Sequence, residues 1–287
     1  MLDFSRVIRV DTHDDGINSW EMARISAPLA VTGLIDGYSD YHERTASFSV
    51  RRELPHAEGV MIINLGPPIA ITGGDGQILR LGPAEAFVAG IHLRPALSHS
   101  CGTQAGMHVH LPLLTLRRLL GIPMNEMIDR VVPLDALLGQ EARTLGIALV
   151  EARTRAERIA LLDAALIRRL ARCAPARADQ FHALALLRSR PELDIAEIAR
   201  EIGWSRKHLA NRIRDATGVG PRSYRRLLRF SRLSAAIGTA PDWAALAADI
   251  GYCDQSHLIR EFGEFAGMTP TQFIARSLGH GGGLIEQ

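Results

Sequence analysis

Arg206, Lys207, Asn211 and Arg214 are spaced one, four and three residues apart, and Gln255, Ser256 and Arg260 repeat the first two spacings 49 residues later. On a helix, residues three and four apart share a face. The side chains have a common chemistry. Arg and Lys bond guanine, Asn and Gln bond adenine bidentately, and small apolar groups such as Ala210 or Ile259 meet a thymine methyl. One polar face of this kind is equally an ordinary solvated surface. Two in matching frames point to a surface that reads base edges.

The elements around these residues are duplicated. Residues 194–224 match 242–273, pairing Ile198 with Leu246, Gly203 with Gly251, Trp204 with Tyr252, Leu209 with Leu258, Ile213 with Phe262 and Gly218 with Gly267. The offset is 48 up to the Trp/Tyr pair and 49 after it, so one residue is inserted in a turn. Each copy predicts a short helix capped by Asp194 or Asp242, a turn at Gly203 or Gly251, and a second helix capped by Ser205 or Asp254. Leu209, Ile213 and Ala216, and Leu258, Phe262 and Phe265, face inward at helical spacing. A two-helix unit with a short glycine-containing turn is the motif that lays its second helix in the major groove. The expected units span 194–216 and 242–266, joined by a linker helix over 222–237.

This stretch, from about 180 to 278, resembles the DNA-binding domain of AraC/XylS-type transcription regulators. The carrying motif is GYCDQSHLIREF…GMTPTQF at 251–273. The first unit is looser, with Asn211 where the family often has Arg and Ile213 where it often has Phe. The resemblance implies base-contacting roles for Lys207 and Asn211, and for Ser256 and Arg260. It implies double-stranded DNA as partner, with RNA polymerase, a small-molecule effector of unknown identity and a homodimer as further expectations.

Charge is unevenly distributed. The chain carries a formal net charge of only +2. Between 200 and 232, however, ten basic residues face two acidic ones, whereas 242–276 holds two basic and five acidic residues. Because phosphate neutralisation dominates DNA affinity, the first unit and linker helix are expected to supply most of the binding energy.

The N-terminal two-thirds change texture. Short runs punctuated by Gly and Pro between about 17 and 110 predict strands, grouped as a β-rich, cupin- or jelly-roll-like sensing domain over 1–111. A helical extension follows over 112–175, where a stripe from Leu145 to Leu170 predicts one long helix over 140–174 that either dimerises or packs on its own domain. The fold class is thus α+β, with an all-α domain over 180–280. Pro175–Asp179 is the expected linker, and GGDG at 73–76 a hairpin turn.

Other chemistry finds little support. His92, His99, His108 and His110 could be gathered around a metal, but they lack a clear carboxylate partner, so neither metal nor cofactor is expected. Trp20, Tyr38, Tyr41 and Phe48 are candidates to line a ligand pocket. Cys101, Cys173 and Cys253 are scattered, as in a reducing cytoplasm. The alternative is a DNA-binding module fused to an enzyme such as a DNA-repair methyltransferase, with Cys101 as its thiol. No GxSxG, P-loop or HExxH motif is present, and no catalytic residue is assigned. No run approaches the length of a membrane span, and Met1–Asp15 does not read as a signal peptide.

Overall fold

Alternation along single strands sets the N-terminal architecture. The computed structural model describes residues 6–46, 49–174, 178–238, 242–278 and 283–286. On the strand Thr103–Leu111, Met107, Val109 and Leu111 are fully buried in the main core, while His108 and His110 turn to the opposite face, where they line a cavity. Successive strand residues point to opposite sides, so one strand serves two layers. The strand Gly59–Asn64 does the same, with Met61 and Ile63 in the core and Val60 and Ile62 facing the cavity.

Among the described residues eleven strands build the domain: β1 (Val7–Asp14), β2 (Ser19–Ile25), β3 (Gly37–Arg44), β4 (Val50–Glu53), β5 (Gly59–Asn64), β6 (Ile69–Thr72), β7 (Ile78–Leu81), β8 (Ala86–Ala89), β9 (Ala96–His99), β10 (Thr103–Leu111) and β11 (Val131–Pro133). They form a seven-stranded sheet, β1-β2-β3-β10-β5-β8-β11, and a four-stranded sheet, β4-β9-β6-β7, with antiparallel pairing throughout. Strands begin earlier than the predicted residue 17. They also recur after 111, because β11 returns to pair with β8. The GGDG segment is the β6–β7 turn, closed by Gly73 N donating to Gln77 O at 2.9 Å.

The helical extension comprises α1 (Leu113–Leu120), a 3₁₀ turn at Met124–Met127, α2 (Leu134–Leu138), α3 (Gln140–Glu151) and α4 (Arg155–Arg172). The single helix expected over 140–174 is in fact two. Thr154 leaves helical geometry, and its side chain and that of Glu157 form a capping box that starts α4 afresh. The apolar stripe lies inside: Leu149, Leu162, Leu166 and Leu170 are buried in the chain's own core. Asp163 of α4 ties down the sheet by accepting from the Tyr38 hydroxyl at 2.9 Å and pairing with Arg6.

Among the described residues seven helices follow: α5 (Ala178–Ser189), α6 (Ile195–Glu201), α7 (Arg206–Thr217), α8 (Pro221–Ala236), α9 (Trp243–Ile250), α10 (Gln255–Ala266) and α11 (Pro270–Arg276). Part of the predicted linker, 175–177, lies outside the described residues. The C-terminal part is not wholly α. After α11, β12 (Ser277–Leu278) pairs with β13 (Gly283–Leu284), and Ile285 then bridges Arg51. The end of the chain therefore rejoins β4 of the N-terminal domain.

Candidate nucleic-acid interface and a cavity in the β domain

Both C-terminal units close by the same local chemistry. The Asp194 carboxylate accepts from Glu197 N at 2.7 Å to start α6, and the Ser205 hydroxyl accepts from His208 N at 3.1 Å to start α7. Asp242 caps α9 through Ala244 N and Ala245 N, and Asp254 caps α10 through His257 N at 2.7 Å. Such caps are worth about 1 kcal/mol each. Leu209, Ile213 and Ala216 of α7 and Leu258, Phe262 and Phe265 of α10 are buried, in the inward frames expected. The duplication reaches further than sequence matching alone suggested. His208 packs edge-on to Trp204 at 4.6 Å, and His257, at the equivalent position, packs edge-on to Tyr252 at 5.2 Å.

The outward faces are open. Arg206, Lys207, Asn211 and Arg214 on α7 are exposed, as are Gln255, Ser256, Ile259 and Arg260 on α10. Between the helices stands α8, whose 16 residues span about 24 Å. It buries Tyr224, Leu227, Phe230 and Leu233, and Phe230 lies 5.4 Å from Phe262 and 5.0 Å from Phe265.

Four of the five arginines of α8 are engaged within the chain. The buried Glu261 carboxylate of α10 accepts from Arg226 Nε at 2.8 Å and from Arg229 Nη2 at 2.7 Å. Arg226 also pairs with Glu264, Arg229 stacks over the Tyr252 ring at 4.5 Å, and Arg225 and Arg232 donate to the carbonyls of Pro191 and Arg188. Burial alone would raise the Glu261 carboxyl, but hydrogen bonds from Arg229 and Arg226 outweigh it and hold the group below its ordinary value. Two of the five acidic residues of the second unit, Glu261 and Glu264, thus attach it to the linker. Arg206, Lys207, Arg214 and Arg222, all exposed, form no ion pair among the described residues.

Each unit touches the N-terminal part. Gly218, the left-handed residue ending α7 (φ 85°), lies against the 3₁₀ turn, where an added Cβ would sit 2.7 Å from the Met124 carbonyl oxygen. Arg117 of α1 pairs with Asp215 at 2.8 Å. On the second unit, Arg52 of β4 grips Glu286 with two bonds of 2.5 and 2.6 Å and donates to the Ala266 carbonyl at the end of α10 at 3.3 Å.

Between the two sheets lies a cavity of about 340 Å³, within the range of small-molecule sites. One end is apolar, with Ile62, Ile69, Ile71, Phe87 and Val131. The rest carries Tyr41, Arg51, Glu53, His56, His92, His108 and His110, among others. Burial pushes the imidazoles down, His56 to about 4 and His108 to about 3, so they are neutral near pH 7. Burial likewise raises the carboxyls of Glu43 and Glu53, against the opposing pull of Arg51.

Of the four aromatic candidates, Trp20 and Tyr41 line the cavity. Tyr38 does not; it is buried on the other side of the sheet against α4, and Phe48 lies outside the described residues. His92, His108 and His110 reach the cavity, whereas His99 sits near the Thr72 hydroxyl away from it. Among the described residues no three His, Cys, Asp or Glu side chains are grouped to hold a metal. Sequence reasoning missed Arg51, Glu53 and His56, although the alternation of β4 was there to suggest an inward Arg51 and Glu53.

A family model described as a helix-turn-helix domain matches residues 198–276. No curated protein matches the chain. Among solved structures, ToxT from Vibrio cholerae O395 is 13% identical, covering 79% of this chain and 96% of its own, with a TM-score of 0.48. Unsaturated fatty acid bound wild-type ToxT from Vibrio cholerae strain SCE256 is 10% identical (79% and 93% covered, TM-score 0.47). An AraC-type transcriptional regulator from Chromobacterium violaceum is 22% identical over 34% of this chain and 90% of its own, with a TM-score of 0.32. Residues 198–276 of this chain are thus a helix–turn–helix domain.

Proposed function

We propose that the chain is a sequence-specific regulator in which α7 and α10 read two neighbouring major-groove segments, and in which a small molecule in the β-domain cavity modulates that binding. The observation that carries the reading is the pair of open faces. Arg206, Lys207, Asn211 and Arg214 on α7 and Gln255, Ser256 and Arg260 on α10 stay exposed, while the neighbouring arginines of α8 are engaged internally. A linker helix of about 24 Å suits two helices set roughly one turn of DNA, about 34 Å, apart on one face of the duplex. The free cations cluster on the first unit, so it grips phosphate and the second unit refines the choice of site.

Two contacts connect the cavity to these units. Glu58 on the cavity wall pairs with Arg188 of α5, whose carbonyl accepts from Arg232 of α8. Arg52, next to the cavity-lining Arg51, holds the end of α10 and the chain terminus. RNA polymerase is the expected protein partner. A homodimer would use the exposed Ile147 and Val150 of α3, and sedimentation that finds only monomer at micromolar concentration removes it. Cys101, which a fused thiol enzyme would need, is exposed and outside the cavity lining, so nothing favours the enzyme reading.

The test compares Lys207→Ala/Asn211→Ala with Ser256→Ala/Arg260→Ala for affinity toward sites selected from random duplex DNA. The first pair should weaken binding more and reduce the salt slope by about 1. A larger loss from the second pair reverses the order, and no loss from either removes the assigned reading faces.

A further inference from the structure

We infer that β1 is a surface through which two copies of this chain associate, pairing antiparallel about Val10 so that their seven-stranded sheets join edge to edge. It is a second surface for self-association, separate from Ile147 and Val150 of α3, and its test keeps the two apart. β1 stands at the end of its sheet, and among the described residues no strand pairs with its outer side. Such an edge presents a row of N–H and C=O groups that template another strand. From Arg9 to Asp14 the pairing with β2 runs without a bulge, and the stretch contains no proline, so neither device blunts the edge there. Two apolar side chains on it are open, Ile8 at 71% exposure and Val10 at 44%.

The ladder with β2 fixes which main-chain groups face outward. Asp15 N donates to Asn18 O at 3.1 Å at the β1–β2 turn, and the same register continues from Asp14 opposite Ser19 to Arg9 opposite Arg24. Antiparallel pairs alternate between bonded and non-bonded, so the odd-numbered residues down to Arg9 bond β2, and Val10, Thr12 and Asp14 turn their main-chain groups outward. A second copy must therefore bond through the same even-numbered residues.

Charge selects among the registers this allows. With Val10 opposite Val10, the two residues exchange a pair of main-chain bonds. Arg9 then falls opposite Asp11 of the second copy, and two-fold symmetry makes the pair twice. These are non-hydrogen-bonded positions, where facing side chains come closest and opposite charges stabilise. Sliding by two residues sets Asp11 against Asp11 or Arg9 against Arg9, and like charges directly opposite are destabilising. Sliding by one breaks the main-chain bonding. Arg9 pairs with Asp11 at 2.5 Å within the chain, but its side chain is 70% exposed and free to bridge both copies. Val10 lies opposite Ala23, a member of the main core, so Val10 against Val10 extends the apolar side of the sheet.

Sedimentation velocity of the full chain from about 1 to 100 µM reads the association. The parent should show a dimer that grows with concentration. Arg9→Asp sets carboxylate against carboxylate at both positions, Asp11→Arg sets guanidinium against guanidinium, and each should raise the dimer Kd by about tenfold or more. Mixed in equal amounts, the two variants set every charge against its opposite and should associate within about threefold of the parent. Recovery in the mixture separates a lost contact from a misfolded variant. Val10→Pro removes an outward N–H and leaves the bonds to β2, so it should weaken the dimer by a similar factor. Ile147→Asp/Val150→Asp should leave the dimer unchanged. If it abolishes the dimer while Arg9→Asp does not, the contact lies on α3 and the inference falls. The inference is also overturned by a parent that stays monomeric at about 100 µM, by single variants that dimerise as the parent does, or by a mixture that does not recover.

Discussion

Glu261→Gln tests whether α10 is held by charge or by packing alone. Glu261 is 3% exposed, and its carboxylate takes bonds from Arg226 and Arg229, whose side chains are 43% and 25% exposed. Breaking one side of a buried ion pair costs roughly 3–5 kcal/mol. Here the stranded guanidiniums regain water, which reduces the loss to about 2–3 kcal/mol. At 1.36 kcal/mol per tenfold, that is about 30- to 150-fold faster amide exchange in α10. Phe262 and Phe265 remain packed on Phe230, so the helix should loosen without melting. Hydrogen exchange of the full chain at pH 7 reads this directly. The amides of α7, which has its own core in Leu209 and Ile213, should stay within threefold of the parent. Unchanged α10 exchange, or equal loosening of α7, refutes the reasoning.

Gly218→Ala should destabilise the chain by about 2–4 kcal/mol, because it combines a left-handed φ of 85° with a Cβ 2.7 Å from the Met124 carbonyl; a thermal midpoint unchanged within a degree would contradict this. Gly146→Ala places a Cβ 1.8 Å from the Ala84 carbonyl oxygen and should cost about 3 kcal/mol or more in urea unfolding, with parent-like stability as the opposing result. Lowering the pH should weaken the β domain. His56 and His108 lie well below their unfolded value, so between pH 6.5 and about 3–4 the unfolded chain binds more protons, and stability falls with pH by up to about 1.4 kcal/mol per unit for each. The raised Glu43 and Glu53 carboxyls oppose this where they titrate, and urea midpoints that rise from pH 7 to pH 5 would reverse the argument.

The residues themselves determined the repeat, its caps and its turns. Asp194, Ser205, Asp242 and Asp254 act within three residues of their own position, and the inward stripes of α7 and α10 follow from helical period alone. The open outward faces of α7 and α10 were legible for the same reason. What acts across long sequence separations was not. Counting charges between 200 and 232 made the linker helix look like a phosphate grip, yet Arg226 and Arg229 answer a carboxylate more than thirty residues away. The break before α4 was local and readable as Thr154 with Glu157, but the apolar stripe running through it concealed it. The cavity needed the tertiary structure entirely. Arg51 meets Glu43 from another strand there, and the terminal strand comes back to β4. Local periodicity sets which face a side chain takes; only the folded chain decides which charge it meets there.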